Sequence, residues 1–124
     1  MMMTTVDSLL ADGMRALFCF GLTQEFFNAD NDTRGAVGAA IREAFDDLEG
    51  RFGVRVLGTF DDDLLQCGPT PAFPWISYIL AEVPDMTAAV AVTNLVRTPF
   101  RDHRLVKYMR VESRMGHPLF FGTR

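Results

Sequence analysis

Apolar and polar positions alternate with two different periods along this chain, and the switches between them mark out its elements. Residues 14–22 form a nearly continuous apolar run, too short for a helix and rich in strand-favouring side chains, so they predict a first strand. The polar cluster at 28–33 carries helix-start chemistry, with Asp30 and Asp32 where the N-terminal dipole favours negative charge. Behind it, Val37, Ile41, Ala44, Phe45, Leu48 and Phe52 recur at spacings of three and four, the stripe of one helix that Gly50 and Gly53 can end. In 54–60 the period drops to two: Val54, Val56 and Phe60 fall on one face, Arg55 and Thr59 on the other, as in an edge strand. Residues 68–74 are too rich in Pro and Gly for anything but a loop, and 75–83 is a third strand, again nearly continuous in apolar residues. Asp85 is placed as the N-cap of a second helix through Ala88, Ala91, Val92, Leu95 and Val96, which Pro99 stops. Residues 104–114 make the last strand, with both faces mixed.

The order strand, helix, strand, strand, helix, strand predicts an α+β ferredoxin-like βαββαβ domain. It has a four-stranded antiparallel sheet in the order 4-1-3-2, with two helices on one face. The two strands that read apolar on both sides are then the central ones. Two helices cover only one face, so the other is expected to expose Phe, Leu, Trp and Ile side chains. A second copy, packed sheet to sheet as a dimeric α+β barrel, would bury them. The chain's own tails are the alternative cover, and 1–13 and 117–124 look too short and polar for it. Residues 1–13 are expected to be a flexible segment preceding a single domain over 14–124.

Composition narrows the function. The 124 residues suffice for one domain, and 48% apolar with 23% charged residues is a globular profile. A net charge of -4 argues against nucleic acid and anionic lipid as partners. No apolar run has the length of a membrane span, and two cysteines without ligand spacing suit reduced thiols, so a cytoplasmic chain is expected. With only two histidines and no phosphate cradle or nucleophile elbow, nothing calls for a metal or cofactor.

Several residues could carry chemistry on a small molecule held between sheet and helices. His103, between the second helix and the last strand, would be the general base, with Asp62 of the Asp61-Asp62-Asp63 run as second candidate. That run could equally be a solvated strand end or hold a divalent cation. Asn94 would anchor a polar group among small helix residues; Trp75, Tyr78, Tyr108 and Phe20 offer aromatic walls. Arginines crowd the chain from Arg97 onward, and Arg104 could clamp the carboxylate of a small aromatic acid.

The segments Phe18-Cys19-Phe20-Gly21, Gln24-Glu25-Phe26-Phe27, Val56-Leu57-Gly58 with Asp61-Asp62-Asp63, Gly68-Pro69, Pro74-Trp75, Val83-Pro84-Asp85 and Asn94-Leu95-Val96-Arg97-Thr98 together resemble the IacB-type proteins. Those are encoded in bacterial gene clusters that degrade indole-3-acetic acid, and the resemblance covers nearly the whole domain. It implies a homodimeric α+β barrel that oxidises an oxindole-acetate intermediate as a monooxygenase without metal or flavin. A base would remove a proton and the anion would reduce dioxygen in a dry chamber. The alternative is a non-catalytic binding protein for an indolic acid, or an accessory subunit of an oxygenase.

Overall fold

The computed structural model describes residues 13–69 and 75–122. Of the segment 1–13 only Gly13 lies within them, and the 68–74 loop is described only to Pro69. Strand β1 (Met14–Leu22) leads into the one-turn helix α1 (Gln24–Asn28), the longer α2 (Asn31–Ala44) and the short α3 (Leu48–Phe52). Strands β2 (Arg55–Asp61) and β3 (Ser77–Val83) precede α4 (Met86–Thr93) and a 3-10 turn over Asn94–Arg97. Two-residue strands β4 (Pro99–Phe100) and β5 (His103–Arg104), a 3-10 turn over Leu105–Lys107 and β6 (Met109–Gly116) complete the elements among the described residues. One antiparallel sheet has the order β2-β3-β1-β6, so the first and third strands are central, as predicted. This is a ferredoxin-like α+β fold. No helix among the described residues is long and apolar enough to cross a membrane.

The register sorts the side chains. Phe18 stands opposite both Ile79 and Ser113, so these three share a face, as do Phe20 and Val111. That is the helix side, where Ala16, Phe18, Val54, Ala81 and Val83 pack with Leu48, Ala88, Ala89 and Val92. A second cluster joins Val37 and Ala44 to Leu105, Tyr108 and Met109. Phe20 and Phe45 meet edge to face at 5.2 Å and touch both clusters.

Three expected elements come out differently. The single helix over 37–52 is broken after Ala44, because Asp47 turns left-handed (φ 47°) and its carboxylate accepts the Gly50 N–H at 3.0 Å, capping a new helix. Arg51 donates to the freed carbonyls of Ala44 and Asp46 at 2.7 and 2.9 Å, which makes the break self-consistent. The second helix changes to 3-10 geometry at Asn94, one residue after Thr93 turns its hydroxyl back onto the Ala89 carbonyl at 2.8 Å. The last strand starts at Met109 instead of 104: Arg101 in left-handed geometry (φ 54°) folds β4 onto β5, and Leu105 is fully buried in the turn that follows.

In β2 the alternation is also corrected. A bulge at Leu57 lets Val56 face Ala81 on the helix side while Gly58 and Phe60 face Leu80 and Tyr78 on the other. Val56 and Phe60 therefore lie on opposite faces.

The open face is less greasy than expected, since Phe18, Phe20 and Ile79 all turn to the helices. Its middle carries Leu17, Cys19, Tyr78 and Leu80. At one end Arg15 pairs with Glu82 at 2.7 Å and Arg55 approaches the same carboxylate at 3.6 Å; along β6, Arg114 pairs with Glu112 at 2.5 Å. An apolar centre is thus bordered by ion pairs.

Candidate functional site

Two hollows flank the β2 and β3 margin of the sheet. The larger, about 940 Å³, lies on the open face, between Leu17, Phe60, Tyr78 and Leu80 below and the loop residues Leu65, Gln66 and Trp75 above. Among the described residues, Leu65, Gln66 and Trp75 of the β2–β3 connection are what lean over the sheet. The second, about 710 Å³, lies between α2 and the sheet, walled by Phe20, Ile41, Phe45, Ile79 and Met109 and rimmed by Arg42, Asp46 and Asp61. Thr59, Phe60 and Tyr78 belong to both walls.

Asp62, Trp75 and Tyr78 are brought together in the open-face hollow. The bulge aims Phe60 at Tyr78, their rings 5.9 Å apart. The Tyr78 hydroxyl reaches the Asp62 carboxylate at 3.0 Å and the Trp75 carbonyl at 3.1 Å, and Gln66 Nε2 donates to the same Asp62 oxygen at 2.9 Å. Desolvation, then the hydrogen bond and charge of Asp62, push the Tyr78 phenol above its ordinary range, since ionisation would set two anions side by side. The buried Cys19 thiol, next to Tyr78 in register, is likewise pushed up by burial; Arg114 opposes this and Glu112 adds to it. Arg114 therefore acts electrostatically on the floor of the site.

The other sequence candidates lie elsewhere. His103 and Arg104 are exposed on the β4–β5 hairpin and line neither hollow, because that hairpin replaces the expected start of the last strand. Asn94 is an exposed C-cap of α4, again off both hollows. Tyr108 is core, edge to face with Phe100 at 5.6 Å. A hollow does lie between sheet and helices, but of the candidates only Phe20 and Tyr78 reach it. Gln66 and Leu65 were not foreseen, and only their closeness in sequence to Asp62 could have suggested them. The acidic run diverges: Asp61 is 3.4 Å from the Ser77 hydroxyl while Asp62 turns to Tyr78. Among the described residues no three His, Cys, Asp or Glu side chains are grouped to hold a metal ion.

No family model matches the sequence, and no curated protein matches it. Solved structures do. The methylated RPA0582 protein is 23% identical over 90% of this chain and 85% of that one, with a TM-score of 0.51; a second structure of RPA0582, from Rhodopseudomonas palustris, describes it as a protein of unknown function. A putative chlorite dismutase, TA0507, is 20% identical over 85% of this chain, at a TM-score of 0.48; the chain spans only 44% of that protein's length. A dimeric protein of unknown function and ferredoxin-like fold from Bacteroides fragilis NCTC 9343 is 10% identical, over 84% of this chain and 94% of that one, at 0.44. At such identities the likeness speaks for the fold alone, and sheet order and strand register make that fold ferredoxin-like.

Proposed function

We propose that the protein takes a flat aromatic acid of the oxindole-acetate type into the open-face hollow and withdraws a proton from it, opening an oxidation by dioxygen without metal or flavin. The observation that carries this reading is the Asp62 carboxylate, oriented by Tyr78 and Gln66 inside a hollow walled by Trp75, Phe60 and Leu80. Trp75 and Phe60 offer flat surface to the ring system, and Asp62 accepts the proton from the carbon beside the lactam carbonyl. The carbanion gives its electron pair to dioxygen, forming a carbon–oxygen bond, and the peroxide anion takes the proton back from Asp62. Arg114 replaces Arg104 as the cation that draws the ligand carboxylate, sharing its guanidinium with Glu112. The reading also proposes that a second copy covers the open face and keeps water out.

Calorimetry and oxygen uptake with 2-oxindole-3-acetate test it together. Asp62→Asn is expected to lower uptake by about 100-fold with little change in affinity, and His103→Ala to leave both unchanged. Binding without uptake would leave a carrier of indolic acids; no binding at all would overturn the reading. Arg42 favours one other location, since it gives the helix-side hollow a cation at its rim. Loss of binding in Arg42→Ala, with Asp62→Asn unaffected, would move the ligand there.

A further inference from the structure

We propose that residues 117–122 of one copy form the lid of the open-face hollow in a second copy, so that the ligand site is complete only in a face-to-face pair. This rests on the open-face reading above and adds the residues that close the site. Residues 117–124 were expected to be too polar to cover a sheet face, but beyond Gly116 three consecutive large apolar side chains, Leu119, Phe120 and Phe121, are exposed by 65, 97 and 58%. The two phenyl rings touch each other, 4.9 Å between centroids, with little of their own fold beneath them. A single exposed apolar residue is ordinary; an adjacent run of three is a surface that fits another.

The hollow is its chemical match. Its walls are Leu17, Phe60, Leu65, Trp75 and Leu80, and Leu65 is 76% exposed. At about 940 Å³ it stands near the top of the range of small-molecule pockets, about 300–1,000 Å³. A two-ring acid fills only a fraction of it, which leaves room for an aromatic plug.

The symmetry of a pair supplies the reach. The sheet margins are β2 and β6, and a two-fold axis lying between facing sheets along the strands sets the β6 margin of each copy over the β2 margin of the other. That axis sets Gly116 of one copy near Arg55 of the other, at the sheet end away from Asp62, so in this proposal the tail turns back at Gly116 and runs along the partner's β2; six residues extend roughly 20 Å, most of a strand's length, which reaches the hollow. Four strands at about 4.8 Å spacing and about 25 Å long give a face of roughly 480 Å² in projection. Surface relief, the leaning loop and the tail raise this toward the about 800 Å² per partner of a stable complex.

Trp75, the chain's only tryptophan, lines the hollow and reports on the lid. The full chain is expected to emit at shorter wavelength than a chain ending at Gly116. Adding full-length Trp75→Phe chains to that shortened chain should restore the blue shift, because the lid arrives from the other copy. The shortened chain should bind 2-oxindole-3-acetate at least tenfold more weakly while sedimenting as a pair. Unchanged emission and affinity in a shortened chain that still pairs would overturn the lid and leave the pair standing. A blue shift that persists in full-length monomers on dilution would overturn it as well, as would mixing that restores nothing. If shortening impairs folding by circular dichroism, Phe120→Ser with Phe121→Ser carries the same readouts. Absence of ligand binding by the full chain would instead sink the open-face function, and the emission test would still decide the lid.

Discussion

Tyr78 shows how one side chain acquires its chemistry from three directions: a strand position facing away from the helices, a loop that returns Asp62 to its hydroxyl, and partial removal from water. The neutral phenol is the favoured form, so its stabilising contribution is full below the ordinary phenol range and is lost as pH rises through the raised value. In Asp62→Asn the neighbouring charge is gone and Tyr78 should ionise at lower pH than in the parent. Ultraviolet titration, with the Tyr78→Phe spectrum subtracted to remove Tyr108, measures this, and an unshifted curve would mean that the hydrogen bond is not formed in solution. From sequence, Asp62, Trp75 and Tyr78 were each visible as candidates. Their meeting was not, because Asp62 and Tyr78 stand 16 residues apart and only the pairing of β2 with β3 returns one to the other. His103 looked suitable by residue type and by its place between the second helix and the last strand; the β4–β5 hairpin carries it to the surface instead.

At the scale of elements, local rules held where local groups decide. Asp85 caps α4 through the Ala88 N–H at 2.8 Å, the role expected of it, and the helix buries Ala88, Ala89 and Val92. Asp85→Ala should therefore cost about 1 kcal/mol in chemical denaturation with an unchanged slope. A loss near zero would mean that packing alone holds this end. Among the expectations that failed, one helix over 37–52 failed because the apolar stripe continues in phase across the break. Phe45, Leu48 and Phe52 still pack on the same core from two helices. Periodicity reports which side chains are buried, and it is silent on whether the backbone between them stays helical. Asp46-Asp47 was the available warning, since such residues compete with helical hydrogen bonds.

At the scale of the whole molecule, the sheet order was legible because burial on both faces and central position require the same strands. The character of the open face was not, since a continuous apolar run does not say which of its members turn to which side. Register decided that, placing Phe18, Phe20 and Ile79 inward. The face left over is a modest apolar centre with charged borders, a surface suited to a specific pairing. Leu80, 42% exposed near its middle, is the place to test this: Leu80→Asp should yield a monomer in sedimentation with the parent circular dichroism. A pair that survives the carboxylate would remove the sheet-to-sheet arrangement.

The extra residue at Leu57 has a consequence larger than its size. Were it drawn into the ladder instead of bulging, every side chain of the strand beyond that point would change sides, as in a zip closed one tooth out of step. Thr59 would arrive where Phe60 now stands, and the ring would be sent into the interior. A bulge pulled flat with its residue retained would therefore strip the aromatic lining from one cavity and crowd the other, without altering any residue that lines either, whereas deleting Leu57 would leave Phe60 opposite Tyr78.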